Sequence, residues 1–368
     1  MRFAVFALHF SLFTIRFSLY TVFTVQIQDL SIGYPGKHGP RVVAQGLTAN
    51  IRRGELTCLL GANGVGKSTL LRTLSAFQPK LSGRIVVQGR DLEAYSIGQQ
   101  SRLISVVLTE RCAVRNMTVR ELVGLGRSPY TGFWGRLTAD DEAVVDDSLR
   151  QVGIQPLASR MTHTLSDGER QKVMIAKALA QQAPIIYLDE PTAFLDYPSK
   201  VEVMQLLHRI SLEADKTVFL STHDVELALQ LADVVWLMDR VRGLTVGTPE
   251  DLSLNGSLGT FFSGRGVTFN RTTGLFAVDC RVGAHVCLQG AGDSYAMARK
   301  ALQRIGVGVD DSGRADIRIQ AEDMPNGARY TLTFAGGETV VAGSIAELLQ
   351  VVGQHASSAS GVQQTAGD

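Results

Sequence analysis

Cysteine is scarce and scattered. Cys58, Cys112, Cys280 and Cys287 are the only four in 368 residues, and no two form a Cys-x-x-Cys pair. That spacing excludes the usual zinc-site pattern and argues against a disulfide framework. Cys280 and Cys287 could face each other on neighbouring strands; two core thiols in a reducing compartment are the expectation. An excess of one charge sign is also lacking, with 36 Lys and Arg against 35 Asp and Glu. No basic field therefore points to nucleic acid as a partner. Internal repeats are absent. With 45% hydrophobic and 19% charged residues, the composition is that of an ordinary globular protein. The length suffices for a sizeable core and two domains.

Charge is nearly missing from residues 1 to 24 as well, where only Arg2 and Arg16 interrupt a run of Phe, Leu, Val and Thr. Arg16 near the middle of a membrane span would cost about 2.5–3.5 kcal/mol. No small-x-small cleavage site follows. The stretch is read as a dispensable extension, as from an upstream start codon, with a peripheral membrane anchor or a secretory signal as the alternatives.

What is present begins at Gly61-Ala62-Asn63-Gly64-Val65-Gly66-Lys67-Ser68-Thr69, between the apolar run Leu56 to Leu60 and a helix-like segment from Leu70. It fits Gly, four residues, Gly-Lys-Ser. Gly61, Asn63, Gly64 and Gly66 let backbone N–H groups curl round phosphates, Lys67 reaches the β and γ oxygens, and Ser68 holds Mg²⁺ with Thr69 beside it. The helix that follows points its positive dipole end at the same place.

Around this loop the chain reads as strands alternating with helices. Val25 to Ile32 alternates apolar and polar residues, and Val42 to Ile51 is a second strand before the loop. Leu103 to Leu108, Ile185 to Leu188 and Thr217 to Ser221 are buried-strand runs; helices are expected from Thr118, from Asp140, over Ser166 to Gln182 and over Ser199 to Ala214. Thr118-Val119-Arg120-Glu121 is a capping box. The alternation implies a parallel sheet with helices on both faces. Beyond Gly247 the texture turns glycine-rich, with short strands at Leu275 to Val278, Val286 to Leu288, Ile317 to Gln320 and Tyr330 to Phe334 and helices at Ser294 to Ile305 and Ser344 to Val351. No motif there carries recognisable chemistry, and residues 354 to 368 read as a disordered tail.

The run Ile185 to Leu188 ends in Asp189 and Glu190. A carboxylate at a strand end can hold Mg²⁺, and one a step further can polarise a water attacking the γ-phosphate. Between the two halves stands Leu165-Ser166-Asp167-Gly168-Glu169-Arg170-Gln171. Ser166 and Glu169 alone would suit a helix cap, but Gly168 and the order of the motifs go beyond one. This stretch resembles the signature motif of ABC ATPases, in the family's order, and the resemblance covers residues 25 to 250. It implies that Tyr34 stacks on adenine, with a core aromatic as the alternative. Ala193 to Asp196 corresponds to the D-loop, and His223 to the switch histidine near the γ-phosphate, with a structural histidine as the alternative. It further implies a head-to-tail homodimer with ATP held between one subunit's phosphate loop and the other's Ser166 and Gly168. One departure stands out: the family's usual glutamine after the strand at 106 to 108 is Thr109 here, whose shorter arm reaches Mg²⁺ less directly.

The expected fold class is thus α/β, a P-loop NTPase (ABC ATPase) domain at 25–255 with an antiparallel β subdomain and a helical subdomain, followed by a small α+β domain at 265–353. Gly126-Arg127-Ser128-Pro129-Tyr130 and Leu137 to Asp141 are similar to the ATP-binding subunits of importers for iron-siderophore, haem and cobalamin complexes. That likeness implies a polytopic permease as partner, a substrate-binding protein acting through it, and a peripheral place on the cytoplasmic face of the plasma membrane. Tyr130, Phe133 and Trp134 suit a partner interface or merely pack the insert. The alternatives are an exporter or lipid-type ATPase subunit, or a non-transport relative acting on DNA or the ribosome. The latter is disfavoured by the short stretch between Lys67 and Ser166 and by the single nucleotide site.

Overall fold

The computed structural model describes residues 23–36, 39–109, 116–132, 135–263, 266–270, 275–278, 283–310 and 315–361. Most of the N-terminal extension, Glu110, Cys112, Phe133, Trp134, Cys280 and the end of the tail lie outside the described residues. The chain divides into two compact units, Met1–Phe261 and Phe262–Asp368.

In the first unit, β1 (Phe23–Tyr34) and β2 (Arg41–Arg52) are long antiparallel neighbours. The apolar alternation of β1 slips by one residue after Ile27, so that Val25, Ile27, Leu30 and Ile32 all face the core. The register shift there, with Asp29 at φ 47°, is a bulge that makes the slip possible. After β3 (Leu56–Gly61) comes α1 (Lys67–Leu74), and then β4 (Ser82–Val87), β5 (Arg90–Asp91), α2 (Ile97–Leu103) and β6 (Ile104–Val107). The helical subdomain holds α3 (Val119–Gly124), α4 (Ala139–Val152) and α5 (Asp167–Ala180). Thr118, Thr138 and Ser166 start these three helices with capping boxes, satisfying backbone N–H groups that the helix itself cannot. The unit continues with β7 (Ile185–Asp189), α6 (Tyr197–Glu213), β8 (Thr217–Ser221), α7 (Val225–Leu231), β9 (Val234–Asp239), β10 (Gly243–Gly247), α8 (Pro249–Leu254) and α9 (Ser257–Phe262).

Two sheets result, a four-stranded one ordered β2-β1-β4-β5 and a six-stranded one ordered β10-β9-β3-β8-β7-β6. In the second, β9, β3, β8, β7 and β6 are mutually parallel and β10 closes the edge antiparallel. The core lies where Ile27, Ile51 and Val87 of the first sheet meet Leu70 and Leu74 of α1 and Tyr187, Phe219 and Trp236 of the second. The three rings pack edge to face, Tyr187 on Phe219 at 5.8 Å and Phe219 on Trp236 at 5.0 Å. One face of the parallel sheet is thus covered by the antiparallel sheet together with α1.

The second unit carries a hairpin, β11 (Val267–Asn270) with β12 (Leu275–Val278), and a mixed five-stranded sheet of β13 (Ala284–Gly290), β14 (Val307–Val309), β15 (Ile317–Met324), β16 (Gly327–Phe334) and β17 (Thr339–Ala342). Helices α10 (Gly292–Arg304) and α11 (Ile345–Gly361) complete it. Leu288, Leu302, Ile319, Tyr330, Leu332 and Leu348 build a core of its own. Helix α11 runs on past Val351, where the closing helix was expected to end. Among the described residues, no helix is long and apolar enough to cross a membrane.

Candidate functional site

Parallel pairing gathers the chemistry at one end of the six-stranded sheet. Strands β3, β7 and β8 end together there, and Asp189 pairs in register with Ser221. From the end of β3 the chain turns through Gly64 (φ 72°) and Gly66 (φ 117°) into α1. A Cβ on Gly66 would meet Val43 Cγ1 at 2.6 Å, so both the backbone angle and the space demand glycine. No acidic residue occupies the first turn of α1, which leaves its N-terminus positive. Arg240 holds the loop from outside by donating to the Gly64 carbonyl at 2.8 Å.

Lys67 is 5% exposed and lies back along the loop, donating to the Gly61 carbonyl at 2.9 Å. Burial lowers its pKa, while the charges of Glu190 and Asp189 partly offset this. Its Nζ is 3.4 Å from His223 Nε2, which in turn is 2.5 Å from Glu190 Oε1. Asp189, 6% exposed, accepts hydrogen bonds on Oδ1 from Ser68 Oγ at 3.1 Å and Ser221 Oγ at 2.7 Å. The same Ser221 hydroxyl accepts the Glu190 N–H at 3.0 Å, and Glu190 stands at φ 50°, unusual for a non-glycine residue. Thr109 Oγ1 donates to the Asp189 carbonyl at 2.7 Å.

Above the loop opens a cleft of about 500 Å³ lined by Tyr34, Arg41, Asn63, Lys67, Ser68 and Glu190 among others. The Tyr34 hydroxyl lies 3.1 Å from Thr69 Oγ1, with the side chain 44% exposed on the cleft wall. The cleft therefore offers an aromatic face at one side, backbone amides and an ammonium at the floor, and the Glu190 carboxylate at the other side with Asp189 just behind Ser68, the set that a nucleoside triphosphate fits.

Not every expected residue lines it. Ser166 caps α5, bonding the Glu169 N–H at 3.2 Å, and Gly168 packs where a Cβ would meet Ser199 Oγ at 3.3 Å. Asp196 caps α6 by accepting from the Ser199 N–H at 3.0 Å. All three stand apart from the cleft lining, and so do Gly61, Thr109, Asp189 and His223, although Asp189 reaches the lining through Ser68, and His223 through Lys67 and Glu190. Conversely, Ser221 and Arg240 were not singled out as site residues in the sequence. Ser221 ends a strand-like run as Asp189 does, and that parallel was the available signal; nothing local marks Arg240.

Comparison with known proteins agrees with this geometry. Residues 44–193 match the ABC transporter family and residues 283–353 the iron ABC transporter C-terminal domain. An ABC transporter ATP-binding protein of Methanocaldococcus jannaschii is 36% identical over 252 residues, covering 68% of this chain and 86% of the relative. The iron(3+)-hydroxamate import ATP-binding protein of Bacillus subtilis is 32% identical over 225 residues, covering 61% and 82%. Among solved structures, cbiO1 of Clostridium perfringens, part of the ABC transporter complex cbiONQ, is similar at 29% identity with a TM-score of 0.57, over 66% of this chain and 95% of that one. With the phosphate loop, the Asp189-Glu190 strand end and His223 meeting at one cleft, the chain belongs to the ABC transporter ATP-binding family.

Proposed function

We propose that this protein is the ATP-hydrolysing subunit of an importer for iron-chelate, haem or cobalamin-type substrates. The observation that carries the ATPase reading is the convergence of Lys67, Ser68, Asp189, Glu190 and His223 on one cleft. The importer reading is supported by the iron ABC transporter C-terminal match and by the hydroxamate-import relative. In this reading, Tyr34 stacks on the adenine, and the amides of Gly61, Asn63, Gly64, Gly66 and Thr69 surround the phosphates. Lys67 swings from the Gly61 carbonyl to the β and γ oxygens. Glu190 takes a proton from the attacking water, and His223, against Glu190 on one side and Lys67 on the other, orients it toward the γ-phosphate.

Ser68 Oγ and Asp189 Oδ1, 3.1 Å apart, form a hard-oxygen pair that suits Mg²⁺, with the Thr109 hydroxyl one step behind. Bound there, Mg²⁺ would supply charge neutralisation on the phosphate oxygens. The exposed cap of α5 suits the dimer: Ser166 and Gly168 of a second copy close the cleft of the first, and Asp196 lies in the turn between them. ATP favours the closed homodimer and hydrolysis the open one, and that difference does the work. The polytopic permease, and through it the substrate-binding protein, belongs to other chains, with this subunit peripheral on the cytoplasmic face of the membrane.

Two variants test the assignment. Lys67→Ala should abolish both ATP hydrolysis and ATP-driven dimerisation. Glu190→Gln should block hydrolysis yet accumulate dimer on size-exclusion chromatography with ATP. A Glu190→Gln protein that hydrolyses ATP at the wild-type rate would refute the role given to Glu190. Co-purification with a permease, followed by stimulation of hydrolysis by a binding protein loaded with a metal chelate, tests the substrate class.

A further inference from the structure

Behind the cleft, the segments that follow Glu190 and His223 are tied together by one carboxylate. Asp224 accepts from the Thr192 hydroxyl at 2.5 Å on one oxygen and from Lys200 Nζ at 2.8 Å on the other. Its own N–H donates to Thr222 Oγ1 at 3.0 Å, and the two threonine hydroxyls lie 3.5 Å apart. Thr192 and Thr222 are 2% and 1% exposed, so neither hydroxyl can turn to bulk water instead. Along the chain, Thr192 follows Glu190 by two residues, Asp224 follows His223 directly, and Lys200 stands in the first turn of α6, whose cap is Asp196. The carboxylate therefore joins the end of β7, the start of α6 and the end of β8 where each leaves the cleft. The His223 ring meets Glu190 and Lys67, its carbonyl accepts the Val225 N–H at 3.0 Å, and its backbone passes straight into Asp224. Glu190 itself sits at φ 50°, a conformation that persists only where the surroundings over-determine it.

We propose that Asp224 is a positioning residue for hydrolysis: held by Thr192 and Lys200, it fixes the backbone of His223 so that the imidazole stays against Glu190, and it couples the turn at 193–196 to that pair. The inference rests on the assignment of hydrolysis to Glu190 and His223. A displacement of about 1 Å at a reacting group can cost about 100-fold in rate. An anchor of this kind therefore shows in turnover rather than in nucleotide binding.

The test compares full-length wild type, Glu190→Gln, Asp224→Ala, Asp224→Asn, Lys200→Met and the Asp224→Asn/Lys200→Met double variant. Asp224→Ala should lower kcat by about 10- to 100-fold, leave the affinity for a fluorescent ATP analogue unchanged, and shift the His223 imidazole resonances in NMR spectra. Lys200→Met in the Asp224→Asn background should restore part of the lost rate, because it removes the stranded cation; the two changes are then non-additive. Wild-type kcat in Asp224→Ala overturns the proposal. So does a loss of kcat and nucleotide affinity together with unmoved His223 resonances, which marks a merely structural residue. Wild-type turnover in Glu190→Gln, by contrast, overturns the hydrolysis assignment on which the proposal stands.

Discussion

At the scale of single residues, Thr109 tests how far a side chain can depart from the family pattern. Its hydroxyl donates to the Asp189 carbonyl at 2.7 Å and so steadies the residue whose carboxylate meets Ser68. Thr109→Val keeps the shape and removes that bond, worth about 1 kcal/mol for a neutral pair. The expected result is a several-fold lower ATPase rate with nucleotide affinity little changed, measured in steady-state turnover. Unchanged hydrolysis and transport would leave Thr109 without a role. Gly66 is less tolerant: at φ 117° and with Val43 Cγ1 2.6 Å from the place of a Cβ, Gly66→Ala should lose ATP binding in a filter or fluorescence assay. Gly66 was legible because phosphate chemistry demands it at fixed spacing in the chain, whereas Thr109 stood out only through the resemblance to the family. Ser221 was not, since its role exists only through the register of β8 against β7, a pairing of residues 32 positions apart.

Among the elements, the helical subdomain depends on a buried pair between the 3-10 turn Leu125–Arg127, which follows α3, and α4. Arg127 donates to Asp141 Oδ1 at 2.9 Å and to the Ala180 carbonyl and Gln182 Oε1 at 2.8 Å, while its guanidinium faces the Tyr130 ring at 4.1 Å. The Thr138 N–H and hydroxyl, with Arg127, hold the Asp141 carboxyl down at about 2. A depressed carboxyl pKa contributes stability that is fully present above the unfolded value near 3.8 and is lost as pH falls through about 2. Acid titration followed by circular dichroism should therefore show Asp141→Asn less sensitive to pH between about 4 and 2 than wild type. Beside this pair, Gly126 packs so close that a Cβ would meet the Lys177 carbonyl at 2.3 Å, and Gly126→Ala should destabilise the unit by about 1–3 kcal/mol in denaturant unfolding. The helices were readable from their caps: Thr118 and Ser166 carry a Glu three residues on, and both start helices as expected. Helix α4 begins at Ala139 rather than Asp140, since Thr138 and Asp141 close a capping box with the shorter acid. Strands β9 and β10 went unnoticed because an apolar run such as Val234 to Met238 has no period of its own; only its place beside β3 makes it a strand. Of the two readings offered for Tyr130, its contacts show the packing one: the ring is held between Arg127 and, at 5.2 Å, Arg102, with 37% of the residue exposed.

For the whole molecule, the division at Phe261 separates two cores that share no member. The residues packed between the two sheets of the first unit end at Met238 and those of the second begin at Val286, so each unit can bury its apolar surface without the other. Every residue placed in the nucleotide cleft, and Asp224 behind it, belongs to the first unit. The second unit has instead a helix start closed by its own chain. The Ser294 side chain and its N–H, the latter donating to Asp323 Oδ1 of β15 at 2.8 Å, lower the Asp323 carboxyl pKa, so that a negative charge sits at the positive end of α10. A chain ending at Ser263 should consequently fold, bind ATP and keep the basal hydrolysis rate of the full protein. Any effect of residues 264–368 should appear in the response to the permease or to loaded binding protein, once both are reconstituted in liposomes. Thermal melting with and without ATP, read beside turnover, checks this. Loss of the ATP-induced rise in melting temperature in the shortened chain would show that the second unit supports the nucleotide site, and the two cores would then have to be treated as one cooperative body.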